Sequence, residues 1–329
     1  MKAVSLIGVR FAFTFMLISG LHYVLNAQRP DPTPGPEIIS ESFSRSLGTP
    51  DAVSKGNSVF VFKKPTYKLK RTVPRTKRVA ARPSGDTKGT PSSRVSSNQG
   101  SPDVWEQIGV TIWRLGKDAK PAADGQTARM LVQEDGKNTE YTPKRVEADT
   151  KFEMGDKVRL SFESPRAGYI YVIDREVHAD GSLGEPYQIF PTRLSRGGDN
   201  RVQPGSVIDI PGQNDSVSFF TLRSDDPKWC GELLTVIVSP QPLSEIGVPS
   251  KQSPISAKMV ETMEEKYLQD TAEYEQEGTV GKSYTQKEKD AAGDGKRQLT
   301  QGDPYPQTVY RVKVHQKEPL MINLSLGVK

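Results

Sequence analysis

Histidine and cysteine are the residues that this sequence has least of. The 329 residues include three histidines and one cysteine, Cys230, so no intramolecular disulfide can form. The apolar run that follows Cys230 favours burial of its thiol, and pairing between two chains is the alternative. Beyond the first 27 residues only His178 and His315 remain. His315 lies between Lys313 and Lys317, which is typical of a solvent-facing strand.

Catalytic signatures are absent as well. Ser–His–acid and Cys–His mechanisms place a histidine beside the nucleophile, and here only His178 is available for that role. The sequence contains no Gly-x-Ser-x-Gly turn, and nothing around Cys230 resembles the setting of an activated thiol. We therefore predict that the protein is not an enzyme and has neither catalytic residues nor a cofactor.

Apolar residues are scarce and charge is unevenly distributed. The hydrophobic fraction is 34%, with 25 prolines and 28 glycines, a composition typical of a partly disordered chain. Residues 55–100 hold twelve Lys or Arg against one acid, Asp86, a net charge of +11, whereas residues 1–54 are neutral. Since the whole chain carries +5, residues 101–329 carry −6. A basic arm therefore precedes an acidic domain.

The first 27 residues have the features of an export signal. Lys2 and Arg10 form a basic start, Phe11–Ile18 is a short apolar stretch, and Ala27 supplies the small residue that a signal peptidase requires. We predict cleavage after this segment, with an uncleaved membrane anchor as the alternative. In either case the rest of the chain is expected to be periplasmic or extracellular, in the cell envelope.

Residues 28–102, which we call the basic arm, are predicted to be a disordered linker rich in Pro and Ser. One apolar island, Val59–Phe62, has the composition of a strand that adds to a sheet edge. The run that follows contains Lys68, Lys70, Arg71, Arg75, Lys77 and Arg78. Such a run attracts polyanions, and because the chain is expected to be exported, envelope glycans, lipid headgroups or an acidic protein face are expected partners, and nucleic acid is not. A solvated spacer is the alternative interpretation.

Residues 103–329 are predicted to form one antiparallel β-sandwich-like domain. Short runs rich in Val, Ile, Tyr and Phe, separated by Gly, Pro and Asp, indicate successive strands joined by tight turns. The runs are 108–112, 129–133, 158–162, 169–173, 207–210, 217–222 and 233–238. The domain is therefore expected to be mainly β.

The C-terminal part of this domain is predicted to contain one accessory helix and two closing strands. Ser253-Pro254 has the form of a helix start, and apolar residues then recur at helical spacing, which predicts a helix over about 254–276. Residues 278–306 are polar and predict a loop. Residues 309–314 and 320–326 predict two closing strands, since Tyr310, Val312 and Val314 share one face of the first and Leu320, Ile322, Leu324 and Leu326 one face of the second. The second is apolar enough to be expected in the core.

Two groups of polar residues are candidate sites. Asp174, Glu176, His178 and Asp180 alternate along one segment, and residues two apart share a face of a strand, so they are weak candidates for metal ligands. The spacing imitates a calcium loop, but Ala179 stands where that loop needs glycine. The alternative is a polar hairpin end that faces water.

Arginines cluster around a Gly197-Gly198 loop and form the second group. Arg193, Arg196, Asn200 and Arg201 are candidates for contact with an anion or a partner. Simple solvation of a hairpin tip is the alternative.

Several of these segments together resemble a bacterial family known only as domain of unknown function 4384. The segments are Gly155-Asp156, Gly168-Tyr169-Ile170-Tyr171 with Asp174, Asp180-Gly181, Phe190-Pro191, Pro204-Gly205, Ile210-Pro211 and Gly231-Glu232-Leu233-Leu234. The resemblance covers about residues 151–243. The later helix and closing strands resemble the form found in exported proteins of acidobacteria-like organisms. Where the family often has Asn after the Phe-Pro pair, this chain has Thr192.

The resemblance implies a β-sandwich-like module, found alone behind signal peptides or attached to peptidases and kinases, with no established activity. Our leading hypothesis is an exported, non-catalytic module that binds a protein or an anionic envelope polymer, with membrane-surface contact through the basic arm. A hydrolytic or metal-dependent enzyme that uses His178 and neighbouring acids is the second hypothesis. A structural envelope protein whose arm and domain associate between copies is the third.

Overall fold

The computed structural model describes residues 60–63, 103–117, 127–134, 137–215, 217–269, 271–293, 299, 303–315 and 317–329. The export signal and most of the basic arm, with its candidate residues Lys68, Lys70, Arg71, Arg75, Lys77 and Arg78, lie outside these ranges. Within them, no helix is long and apolar enough to cross a membrane.

The described residues form a mainly β structure, as the composition of the apolar runs predicts. The strands are β1 Phe60–Lys63, β2 Asp103–Gly116, β3 Met130–Glu134, β4 Lys137–Val146, β5 Lys157–Glu163, β6 Gly168–His178, β7 Tyr187–Phe190, β8 Arg201–Val202, β9 Val207–Ile210, β10 Phe220–Thr221, β11 Trp229–Ser239, β12 Ser253–Pro254, β13 Thr271–Gln276, β14 Thr308–His315 and β15 Leu320–Gly327.

These strands make two antiparallel sheets. The larger sheet has the order β1-β13-β14-β2-β4-β3, with β5 beside β2 and with β9 and β10 beside β5. The smaller sheet has the order β12-β7-β6-β11-β15, with β8 beside β6. The apolar island of the basic arm contributes β1, where Phe60 pairs with Gln276 and Lys63 with Glu273. The prediction that this island adds to a sheet edge is therefore confirmed.

The main core lies between the two sheets. Ile112, Leu160 and Phe162 of the larger sheet and Val172 and Val236 of the smaller sheet are all fully buried in one cluster. Successive residues of a strand point to opposite sides of its sheet, so the residues between these core positions point to the outer faces. The β-sandwich-like architecture predicted from the sequence is thus confirmed.

Each outer face carries a smaller apolar cluster. Tyr171 and Ile173 on the smaller sheet pack with Val260 of a helix. On the larger sheet, Trp113 packs with Tyr141 and Tyr284. Both sheets are therefore partly covered outside as well as inside.

The described residues contain two α-helices in the region where the sequence predicts one. Helix α1, Ala257–Tyr267, begins after Ser256, whose side chain accepts a hydrogen bond from the Met259 N–H. The predicted extent of 254–276 is wrong, because Thr271–Gln276 is strand β13, whose backbone groups pair with both β1 and β14. Helix α2, Gln286–Ala292, lies inside the predicted loop 278–306.

The structure confirms the predicted closing strands and corrects two other predictions, the strand over 217–222 and the burial of Cys230. The closing strands are present, and Val312 and Leu324 point into the main core as the alternation predicts. The strand predicted over 217–222 is limited to Phe220–Thr221, because only these two residues pair with β5. Cys230, expected to be buried, is a free thiol that is only half-buried.

Candidate functional site

Polar side chains continue the inner face of β6 beyond the end of the core. Val172 packs in the main core, and the next residues on the same face are Asp174, Glu176 and His178. Strand β11 runs antiparallel to β6, and Glu232 lies directly opposite Glu176. Three carboxyl groups and one imidazole therefore share the end of this sheet face.

A bulge in β11 lies directly before Glu232, which keeps the continuous register of Gly231–Ser239 with β6. The pairing between β6 and β11 shifts between Trp229 and Gly231. Gly231 has a φ of 147°, and a side chain there would collide with the backbone carbonyl oxygen of Leu326 on β15, so the position requires glycine. The indole Nε1–H of Trp229 donates to Glu232 Oε1 at 3.0 Å.

An open pocket of about 850 Å³ lies beside these carboxyl groups. Its walls come from both sheets and from the segment that precedes β10. The lining residues are Lys157, Val158, Asp174, Glu176, Glu185, Tyr187, Ile189, Val217, Phe219, Phe220, Thr221, Leu222, Arg223, Glu232, Leu234, Gln252 and Leu326. Acidic side chains form one end of this pocket and apolar side chains the other.

A second pocket of about 450 Å³ continues the apolar end. The two share Tyr187, Ile189, Val217, Phe219, Phe220 and Gln252. We call the combined depression the groove. Three of the large apolar side chains along it are more than 40% exposed, namely Tyr187, Leu194 and Val217. The groove therefore presents apolar surface to solvent beside a buried acidic end.

Asp174 and Glu232 form a carboxyl pair at the acidic end. Asp174 Oδ1 and Glu232 Oε2 are buried and have no hydrogen-bond partner among the described residues. Burial raises the pKa of Asp174, and burial together with the negative charge of Asp174 raises the pKa of Glu232. One proton shared between the two carboxyl groups accounts for both directions, because two adjacent buried charges repel each other.

A second constellation lies where β6 ends. One side-chain atom each of Glu176, His178 and Asp226 lies within 4.8 Å of the others. His178 Nε2 is 3.7 Å from Glu176 Oε2 and 3.5 Å from Asp226 Oδ2. We call these three residues the His178 cluster. Of the four weak metal candidates, the structure brings Glu176 and His178 together, and it adds Asp226 to them.

The two other candidates lie elsewhere. Asp174 pairs with Glu232, as described above. Asp180 accepts a hydrogen bond from the Ser182 N–H at 2.9 Å within the turn after β6, and its pKa is lowered by hydrogen bonds from Ser182. Asp180 therefore orders the turn and does not belong to the His178 cluster.

These elements lie in the part of the chain that resembles a known family. Residues 151–242 match the model of the family Domain of unknown function (DUF4384). The match confirms the resemblance over that stretch, and the acidobacteria-like form stays a prediction. No curated protein and no solved structure matches the chain. The carboxyl pair and the His178 cluster both lie inside the DUF4384 stretch.

The predicted arginine cluster lies in the same DUF4384 stretch but is largely engaged within its own loop. Arg201 donates from Nε and Nη2 to the Asp199 carboxylate at 2.8 and 2.9 Å. The backbone N–H of Arg196 donates to Asp215 Oδ1 at 2.8 Å. Asn200 is buried, and its amide donates to the Ile170 carbonyl oxygen at 3.0 Å. Asn200 thus has a structural role, while a binding role for the loop stays a prediction.

Residues that sequence reasoning missed complete both constellations. Glu232 belongs to a segment that carries the family resemblance, but its place opposite Glu176 depends on the pairing of β11 with β6. Asp226 lies in the turn before β11. This turn lies beside His178 because β6 and β11 pair. Phe219 lies in the segment 217–222, which is predicted to be a strand, but it precedes β10 and lines the groove. The sequence signal that could have pointed to Asp226 is the Asp225-Asp226-Pro227 segment, which is typical of a turn.

Proposed function

We propose that the domain is a non-catalytic binding module that holds a segment of a partner protein in the groove. The observation that carries the proposal is the pair of buried carboxyl oxygens at the acidic end, Asp174 Oδ1 and Glu232 Oε2, to which no N–H or hydroxyl group of the described residues donates. A proton shared between the two carboxyl groups leaves the pair with one negative charge, which a cation from a partner would neutralise. Buried acceptors without donors are uncommon in folded proteins. A guanidinium or ammonium group from the partner would supply those donors.

The apolar end of the groove defines the rest of the ligand. Tyr187, Leu194 and Val217 are 42%, 61% and 59% exposed, and Phe219 and Phe220 line the depression beneath them. Contiguous exposed apolar surface is typical of interaction sites, and the volume is in the range of ligand-binding clefts. The ligand we propose is therefore a peptide segment with an Arg or Lys side chain next to apolar residues.

Charge favours a protein ligand over an anionic polymer at this groove. Four carboxyl groups line it, against Lys157, Arg223 and Lys251, and the ammonium group of Lys157 lies 4.8 Å from the centre of the Phe219 ring. Residues 101–329 also carry a net charge of −6. A polyanion would be repelled by this surface. We assign anionic polymers and membrane surfaces to the basic arm, in an exported protein of the cell envelope.

The experiment is selection of peptides from a randomised display library on the full chain, followed by fluorescence anisotropy of a selected peptide. We expect the selected peptides to contain a basic residue, and replacement of that residue by glutamine should abolish measurable binding. The double variant Asp174→Asn, Glu232→Gln should weaken binding at least about thirtyfold. The reason is that the basic residue of the peptide then has no buried carboxylate to pair with. Val217→Asp should weaken it at least about tenfold.

The matched control is Leu131→Ser, since Leu131 is 69% exposed on β3 and does not line the groove. That variant should bind the selected peptide like the parent chain. Binding that survives both groove variants would contradict the proposal. So would a selection that yields only acidic peptides, or binding that disappears when Lys68, Lys70, Arg71, Arg75, Lys77 and Arg78 are all replaced by Gln.

A hydrolytic enzyme is the second candidate function, favoured by the carboxyl pair. Two carboxyl groups that share a proton can act as general acid and general base. Chromogenic ester, peptide and glycoside substrates would test this candidate with the full chain. The enzyme hypothesis expects turnover that Asp174→Ala and His178→Ala each abolish. Absence of turnover, or turnover that both variants retain, removes it.

A further inference from the structure

The His178 cluster has the donor set and the spacing of a metal site. Its three side chains offer one imidazole nitrogen and two carboxylate oxygens. At metal–ligand distances of about 2.0–2.1 Å, two ligands of a tetrahedral Zn²⁺ ion are separated by about 3.3 Å. The separations of 3.5 and 3.7 Å from His178 Nε2 to the carboxylate oxygens are close to that value. A side-chain adjustment of a few tenths of an ångström would close these two differences, and the third separation, between the two carboxylate oxygens, is at most 4.8 Å.

Neighbouring groups hold two of these side chains by their other polar atoms. His178 Nδ1 lies 2.9 Å from Ser182 Oγ, and the Lys228 N–H donates to Asp226 Oδ1 at 2.8 Å. The Ala179 N–H donates to the Lys228 carbonyl oxygen at 2.8 Å, which joins the two turns. Hydrogen bonds to the outer atom of a ligand are how metal sites fix the ring tautomer and the orientation of a carboxylate. His178 Nε2 and Asp226 Oδ2 are thereby left facing each other.

The imidazole nitrogen at the centre has no other use in the described structure. His178 Nε2 is shielded from solvent and has no hydrogen-bond partner among the described residues, and the side chain as a whole is 15% exposed. Ser182 can accept the proton of Nδ1, which leaves a lone pair on Nε2 directed at two carboxylates. In that tautomer the lone pair and the two carboxylates face one point, which is the arrangement that binds a cation.

We propose that Glu176, His178 and Asp226 bind a divalent metal ion, and that this ion is Zn²⁺. Imidazole with carboxylate is a common donor set for zinc, whereas Ca²⁺ takes six to eight oxygen ligands. Three protein ligands leave one position of a tetrahedral ion for water or for a group of a bound partner. Since Glu176 also lines the groove, the ion would lie at its acidic end. The proposal does not depend on the peptide-binding function.

The test is a Zn²⁺ titration of the EDTA-treated full chain in competition with a chromophoric chelator. The parent chain should bind one equivalent of Zn²⁺, more tightly than Mn²⁺ and Ca²⁺. His178→Ala and Asp226→Asn should each weaken Zn²⁺ binding at least about a hundredfold, because each removes a ligand. Ser182→Ala, which removes only the hydrogen bond at Nδ1, should weaken it about ten- to a hundredfold.

The matched control is Asp225→Asn, next to Asp226 in the same turn, together with Cys230→Ser; both should bind Zn²⁺ like the parent chain. Far-UV circular dichroism checks that each variant is folded, and Asp226→Asn preserves side-chain size. The proposal is overturned by absence of stoichiometric Zn²⁺ binding, by binding that both His178→Ala and Asp226→Asn retain, or by a preference for Ca²⁺. Peptide binding measured on the same variants is a separate readout, so failure of either proposal is distinguishable from failure of the other.

Discussion

Asp209→Ala is expected to lower the free energy of unfolding by about 3–5 kcal/mol, because it leaves a buried arginine without its counter-charge. Arg159 Nη2 lies 2.8 Å from Asp209 Oδ2, and the two side chains are 2% and 1% exposed. Asp209 also accepts hydrogen bonds from Ser161 Oγ at 2.6 Å and from the Tyr284 hydroxyl at 2.9 Å. The Arg159 contact is ionic and not a well-directed hydrogen bond, so the charge itself is the main loss. Urea denaturation at neutral pH measures the effect.

The control for this prediction is an exposed ion pair. Arg129 Nη1 lies 3.0 Å from Glu140 Oε1, with side chains 30% and 50% exposed, and Glu140→Gln should cost less than about 1 kcal/mol. The double variant Arg159→Met, Asp209→Leu should recover most of the lost stability, because neither buried charge remains. If Asp209→Ala costs no more than Glu140→Gln, the buried pair is not a major determinant of stability.

Glu163→Gln is expected to remove a large pH dependence of stability. Burial raises the pKa of Glu163 from 4.5 to about 8, although the Arg145 charge acts in the opposite direction. The folded state therefore keeps a proton on Glu163 that the unfolded state loses. The contribution of this group to stability is largest below about pH 4.5 and falls as the pH rises towards 8. Between pH 5 and pH 8 this one group contributes a loss of about 3 kcal/mol.

The measurement is the free energy of unfolding of the parent chain and the variant at pH 5 and at pH 8. The glutamine variant should gain on the parent chain by about 3 kcal/mol between the two pH values, since glutamine has no proton to lose. Glu140→Gln, at an exposed position, should show no comparable gain. A constant difference between Glu163→Gln and the parent chain at both pH values would show that Glu163 titrates in the same way in the folded and unfolded states.

Periodicity was a sufficient guide where one face of a strand is buried. Tyr310, Val312 and Val314 share one face of their strand, as Leu320 and Leu324 do of theirs, and all five enter the main core. A buried face selects for period two because successive side chains point to opposite sides of the sheet. Both closing strands could therefore be predicted to within one or two residues.

Periodicity failed where polar strands are held by their neighbours. Lys137–Val146 was not predicted because its residues are mostly polar, yet the backbone pairs with both β3 and β2. Thr271–Gln276 has the spacing of a helix, because Tyr267 and Tyr274 are seven residues apart and two helical turns also produce this separation. The pairing of this segment with its neighbours makes it a strand instead. The residues of α2 carry a local start signal, a capping box between Thr285 and Glu288, which the polarity of the region obscured.

The candidate site could be predicted only in part for a related reason. The shared face of Asp174, Glu176 and His178 follows from strand period alone. Their partners do not, because Glu232 and Asp226 are about fifty residues further along the chain and reach the site through the pairing of β6 with β11. Local sequence does not encode that register. The groove itself is lined by residues from both sheets and from the segment before β10, which only the packed domain brings together.

Amide hydrogen exchange of the full chain, with and without a saturating selected peptide, tests the groove as the binding surface most directly. The account predicts that the peptide slows exchange in Tyr187–Phe190 and in residues 217–222, on the two walls of the groove. It predicts no change in Met130–Glu134. Slowed exchange confined to residues 196–201, or to the basic arm, would contradict it and would place recognition on the arginine loop or on the arm.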